Sequence, residues 1–129
     1  MNDLAKASIL IIDNDEGVVR AISARLSNLG YECSVARTGA QGLSAFADEP
    51  IDLVITDLNM PVLDGMGLVE KIREFSEVPI IVVTGYRKEY HDQINQMYDI
   101  SVLEKPFSTE SLLEMVDLAL GSHRLRRAG

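Results

Sequence analysis

The sequence predicts an α/β domain, a parallel sheet with helices packed on both faces. Short apolar runs alternate with segments of helical period along most of the chain. Most of these runs are apolar throughout rather than alternating, as strands buried on both faces are. Three of them also deliver charge at their C-terminal ends: Ile9-Leu10-Ile11-Ile12 runs into Asp13-Asn14-Asp15, Ile51-Asp52-Leu53-Val54-Ile55-Thr56 into Asp57, and Val102-Leu103-Glu104 into Lys105. In an open parallel sheet such ends face one crevice, and ligands bind there.

Ser8 to Ile12 reads as the first strand. From about Asp15 to Leu29, Val18, Val19, Ile22, Leu26 and Leu29 recur at helical spacing, and Gly30 closes the helix. Tyr31 to Ala36 is the second strand. Thr38 caps the next helix, with Gln41 completing a capping box and Leu43, Phe46 and Ala47 forming its apolar face. Glu49-Pro50 ends that helix. Ile51 to Thr56 is the third strand. A loop to about Asp64-Gly65 precedes a helix carrying Leu68, Val69 and Ile72. Pro79 to Val83 is the fourth strand. The polar segment Arg87 to Met97 reads as a helix on weaker periodicity, with Ile94 and Met97 apolar. Ile100 to Leu103 is the fifth strand, and Ser108 caps a last helix bearing Leu112, Leu113, Val116 and Leu120.

Right-handed crossovers and this alternation fit a flavodoxin-like (βα)5 three-layer sandwich with strand order 2-1-3-4-5. That order places the ends of strands one and three side by side, bringing Asp13-Asn14-Asp15 next to Asp57. The domain is expected over residues 1–121. Residues 122–129, with Arg124, Arg126 and Arg127, read as a solvated basic tail or the start of a linker.

At 129 residues the chain is long enough for one real core. A net charge of −8 argues against a direct nucleic-acid binder, which needs clustered Lys and Arg. With aromatics at 5% and no Trp, base-stacking platforms are not expected. No apolar run approaches the roughly 20 residues of a membrane span, and Met1-Asn2-Asp3-Leu4 does not read as a signal peptide. The single Cys33 leaves no internal disulfide and reads as a small buried hydrophobe in a reducing compartment.

A carboxylate at the end of a buried strand is costly unless something there uses it. Asp13, Asp15 and Asp57 in one crevice repel and raise one another's pKa unless a cation lies among them. Carboxylate and carbonyl oxygens are the ligands of Mg²⁺, whereas the isolated His91 and His123 offer no zinc set. Lys105 would pair with the acids at rest and bind phosphate in action. Thr84, ending the fourth strand, would donate its hydroxyl to a phosphoryl oxygen. Cation, lysine and hydroxyl around one carboxylate are the clamp that phosphoryl transfer requires, with the carboxylate as nucleophile.

Ile9 to Asp15, Asp52 to Asp57 with Leu58-Asn59-Met60-Pro61-Val62-Leu63-Asp64-Gly65, Pro79 to Gly85, and Lys105-Pro106-Phe107 together resemble the receiver domain of two-component response regulators. The resemblance spans roughly residues 7 to 120. It implies that Asp57 is the phosphoacceptor, taking a phosphoryl group from the phosphohistidine of a sensor histidine kinase or phosphotransfer protein. Asp13 and Asn14 match the acidic pair, and Asp57 with the Asn59 main-chain carbonyl would complete a Mg²⁺ site. Thr84 matches the switch hydroxyl and Lys105 the phosphate-binding lysine, with a cis bond before Pro106. The resemblance further implies a cytoplasmic signalling switch rather than an enzyme proper, supporting its own phosphorylation and slow dephosphorylation. Its surface of the 87–97 segment, fifth strand and last helix would be read by a downstream protein or an attached output domain, with dimerisation on activation left open.

The chain departs from the family pattern twice. The second acid is Asn14, which offers a carbonyl oxygen without charge; Asp15 either compensates or caps the following helix. Three residues before Lys105 stands Val102 where the family usually has Tyr or Phe, so a different element would report the phosphorylated state. Tyr86 is then either that element or a shield over the site. Two alternatives stand beside the switch. One is a phosphorylation-independent pseudo-receiver that only binds. The other is a haloacid-dehalogenase-type phosphatase with Asp13 as nucleophile and Asp15 as acid, a reading that leaves Asp57 without a role.

Overall fold

The computed structural model describes residues 7–58, 65–85 and 99–128. Five parallel strands form one sheet in the order β2-β1-β3-β4-β5. They are β1 (Ser8–Ile12), β2 (Glu32–Ala36), β3 (Leu53–Asp57), β4 (Ile80–Thr84) and β5 (Ile100–Glu104). The described helices are α1 (Glu16–Asn28), α2 (Gly39–Asp48), α3 (Gly65–Arg73) and α4 (Thr109–Ala128). The helix expected over 87–97, with His91, and the residues Asn59, Asp64 and Tyr86 lie outside the described residues.

The burial pattern explains which runs had to be apolar. Every residue of β3 and β4 is buried, because helices cover both faces of these inner strands. β2 and β5 sit at the sheet's edges, and each buries a single residue fully, Ala36 and Leu103. Alternate residues of each strand point to opposite faces. Ile9, Ile11, Leu53, Ile55, Ile81 and Val83 meet Val19, Ile22 and Leu26 of α1 and Leu112, Val116 and Leu120 of α4. Leu10, Ile12, Val54, Ile80 and Val82 meet Leu68, Val69 and Ile72 of α3, with Leu43 and Phe46 of α2 packed alongside. Fully burying each such Leu, Ile or Val is worth about 1.5–3 kcal/mol. Cys33 is half-buried against the α1/α4 layer rather than fully enclosed, consistent with its place on edge strand β2.

Helix ends follow sequence chemistry. The Asp15 carboxylate accepts from Gly17 N–H at 2.9 Å and Val18 N–H at 3.2 Å, so Asp15 is the N-cap of α1. Gly30, at φ 98°, ends α1 in a Schellman motif: Tyr31 N–H donates to Leu26 C=O and Gly30 N–H to Ser27 C=O. The Thr38 hydroxyl accepts from Gln41 N–H at 3.1 Å as expected. Gln41 Oε1, however, reaches back past Thr38 to Arg37 N–H at 2.9 Å, so the capping box closes one residue early. Gly42 marks a close approach of α2 to the sheet, since a Cβ there would lie 2.5 Å from Ile12 Cδ1. Ser108 caps α4, its hydroxyl accepting from Ser111 N–H at 3.0 Å. That helix runs on to Ala128, past the Gly121 at which the sequence reading ended it. The backbone of the expected tail is therefore helical over 122–128, and its side chains lie outside the described set.

Candidate functional site: an acid pair and a lysine at the strand ends

The sheet order carries the C-terminal ends of β1, β3, β4 and β5 to one edge. β1 and β3 pair in register up to Ile12↔Thr56, so the next residues, Asp13 and Asp57, stand side by side. β3 and β4 pair Asp57↔Val83, and β4 and β5 pair Thr84↔Glu104, which brings Thr84 and Lys105 to the same end. The backbone holds them there: Leu58 N–H donates to Val83 C=O at 3.2 Å and Lys105 N–H to Thr84 C=O at 2.9 Å.

Asp13 and Asp57 are each only 4% exposed, and Thr84 is fully buried. Lys105 Nζ lies 3.3 Å from Asp57 Oδ2. The lysine is partly exposed, so its ammonium reaches from the rim down to a buried carboxylate. The Lys105–Pro106 peptide is cis, as the resemblance implied. Asp13 Oδ1 accepts from Asp15 N–H at 2.9 Å. Burial pushes the Asp13 pKa above its ordinary value, and the charge of Asp57 pushes it further; the Asp15 N–H bond and the Lys105 charge act against the rise.

The donors fit Mg²⁺. They are two buried carboxylates beside a lysine, all oxygen on the acceptor side. Among the described residues no group of three or more His, Cys, Asp or Glu side chains is placed to hold a metal, as a zinc or all-carboxylate cage would require. Asn14 is exposed beside the pair, and its main-chain carbonyl is engaged by Arg37 Nη2 at 3.0 Å. Asp15 takes the capping role that the sequence offered, both bonds ending on its Oδ1.

Val102 is half-buried and packs on the α2/α3 layer with Val82 and Ile80. Asn59, whose carbonyl was expected to complete the metal site, and Tyr86 lie outside the described residues. Sequence reasoning missed Arg37. Its signal was available, because it directly follows β2, the strand that order 2-1-3 places beside β1. A cleft opens at the lysine, lined by Asp15, Val18, Lys105, Pro106 and Phe107. It continues along α1 as an apolar groove past Ala21, Ala24 and Leu112.

A doubly covered parallel sheet in the order 2-1-3-4-5, with buried acids, a hydroxyl and a lysine at one strand-end crevice, defines a flavodoxin-like domain whose ligand site lies at those ends. The response regulator receiver domain model matches residues 9–117, and the chain belongs to that family of signalling domains. The probable transcriptional regulator ycf27 of Porphyridium aerugineum is 35% identical over 98% of this chain and 56% of its own length. The transcriptional regulatory protein GlrR of Escherichia coli is 34% identical over 88% of this chain and 26% of its own. The chain thus spans about half or less of the length of these curated relatives. Among solved structures, a CheY-like response regulator receiver domain protein from Methanospirillum hungatei superposes with a TM-score of 0.87, at 27% identity over 94% of this chain and 98% of that one. The receiver domain protein from Clostridium thermocellum gives 0.84 at 27% identity, covering 92% and 98%.

Proposed function

We propose that the chain is a phospho-accepting switch in which Asp57 takes a phosphoryl group from the phosphohistidine of a sensor kinase or phosphotransfer protein. The observation that carries this reading is the Lys105 ammonium 3.3 Å from the buried Asp57 carboxylate. An Asp57 carboxylate oxygen attacks phosphorus, the N–P bond breaks, and the departing imidazole keeps the electron pair and takes up a proton. Lys105 moves from the carboxylate to a phosphoryl oxygen, and the Thr84 hydroxyl donates to another. Asp13, Asp57, the Asn14 side chain and the Asn59 carbonyl would hold Mg²⁺, which when bound neutralises charge on the phosphoryl oxygens.

The cleft beside Lys105 and the apolar groove along α1 offer a donor protein a surface next to the lysine that pairs with Asp57. The receiver's own groups position the acceptor, so a small phosphodonor such as acetyl phosphate suffices in place of the protein donor. The output is carried by a longer protein or a partner, in line with relatives named as transcriptional regulators. The phosphatase alternative would leave the Lys105–Asp57 pair without a role. The test is acetyl phosphate with and without Mg²⁺, followed by intact mass. A Mg²⁺-dependent phosphoryl adduct on the wild type supports the switch; no adduct from acetyl phosphate or from any phosphohistidine donor would move the chain to the pseudo-receiver reading.

A further inference from the structure

We infer that Arg37 is a positioning residue for the metal-binding loop, setting the Mg²⁺ affinity of a site whose second acid is Asn14; this rests on the switch reading above. Arg37 lies where β2 ends beside β1. Its backbone is fixed on one side by Gln41 Oε1, which accepts Arg37 N–H at 2.9 Å. One residue earlier, Ala36 C=O accepts from Asp13 N–H at 3.1 Å, so the ladder between the two strands runs right up to the acid pair. The guanidinium then extends that ladder beyond the strands. Nη2 donates to Asn14 C=O at 3.0 Å, and Nη1 lies 3.6 Å from Glu16 Oε1. Arg37 thus grips the residues on either side of Asp15, whose N–H in turn donates to Asp13 Oδ1.

Residues Asp13 to Asp15 are the connection between β1 and α1. A guanidinium holds a carbonyl and a carboxylate at once from two nitrogens of a rigid planar fork, a fixed geometry that an ammonium lacks. Holding Asn14 C=O toward β2 also fixes the peptide plane that carries the Asp15 N–H, and with it the orientation of the Asp13 carboxylate. Groups that orient metal ligands from behind typically change metal affinity by about 10–100-fold when removed.

The sign of the effect separates positioning from simple charge. Removing a nearby cation strengthens Mg²⁺ binding if Arg37 acts only through its field. Removing an orienting contact weakens it. The experiment titrates Mg²⁺ into wild type, Arg37→Ala and Arg37→Lys, followed by amide NMR shifts, and measures amide exchange of residues 14–16 in the metal-free proteins. The expected result is about a 10-fold loss of affinity in Arg37→Ala with faster exchange at 14–16, and a smaller loss in Arg37→Lys. If Arg37→Ala does not fold, the loss in Arg37→Lys, which keeps the charge, carries the test. Unchanged or tighter Mg²⁺ binding in the variants overturns the inference while leaving the switch intact. A wild type that neither binds Mg²⁺ nor forms the Asp57 adduct overturns both.

Discussion

Lys105 and Asp57 form an ion pair at 3.3 Å across two strands that are not neighbours, β5 and β3. β4 lies between them and ends in Thr84, whose carbonyl receives the Lys105 N–H. The pair therefore depends on the register of three strands, and it arranges a nucleophile, a cation and a hydroxyl at one edge.

Replacing Lys105 with Ala should leave the fold intact, because the side chain is partly exposed. Phosphorylation of Asp57 by acetyl phosphate at saturating Mg²⁺ should slow by about 100-fold, the scale for losing one preorganised charge-stabilising donor. Lys105→Arg should recover only part of this, since a planar fork does not replace a point charge aimed into the crevice. Stopped-flow or quenched mass spectrometry gives the rates.

Asp13 is buried with a raised pKa, so its ionised form opposes folding in the metal-free protein. The sign follows from linkage. The folded state holds the Asp13 proton more tightly than the unfolded chain, so this group favours folding below the unfolded carboxyl pKa and that contribution is lost as pH rises through the raised value. Asp13→Asn should therefore raise the Tm of the metal-free protein at neutral pH and abolish its stabilisation by Mg²⁺. In the wild type, Mg²⁺ affinity should fall as pH drops through the raised Asp13 pKa, because the cation must displace that proton. Thermal melts with and without Mg²⁺ across pH measure all three.

Thr84 is fully buried at the end of β4. Thr84→Val keeps its shape and removes the hydroxyl. Adduct formation at Asp57 should persist within about 10-fold, as expected for one neutral hydrogen bond of roughly 0.5–1.5 kcal/mol. The amide shifts that follow phosphorylation in β4 and β5 should shrink. A full set of shifts in Thr84→Val would remove the hydroxyl from the switch.

Gly42 faces Ile12, the residue that leads into Asp13. Gly42→Ala places a Cβ at 2.5 Å from Ile12 Cδ1 and should destabilise the domain by about 1–3 kcal/mol in urea unfolding. Ile12→Val removes that methyl, so the double variant should cost less than the sum of the two single changes.

Much of this arrangement was legible because it is written as apolar runs ending in charge. The five strands, their order and the placement of Asp13, Asp57, Thr84 and Lys105 follow from continuous burial and one topology. The apolar faces of α1 and α4 were each visible, in Val19, Ile22 and Leu26 and in Leu112 and Val116; that the two share one layer came from the structure. Where the reading stopped short, the cause was local. Asp15 as metal acid or cap could not be decided from spacing, because both roles use a carboxylate at the same position. The extent of α4 beyond Gly121 was masked by a glycine in a polar, basic stretch, where helical period has little apolar pattern to show. Arg37 escaped although its place directly after β2 was readable, because its partners, a main-chain carbonyl and a residue on another element, form no motif.

The measurement that tests the central claim most directly is intact mass after acetyl phosphate treatment of wild type, Asp57→Asn and Asp13→Asn, each with and without Mg²⁺. A single phosphoryl adduct on the wild type that requires Mg²⁺, is absent in Asp57→Asn and is strongly reduced in Asp13→Asn is the predicted result. An adduct that survives in Asp57→Asn and vanishes in Asp13→Asn would contradict the account, making Asp13 the nucleophile.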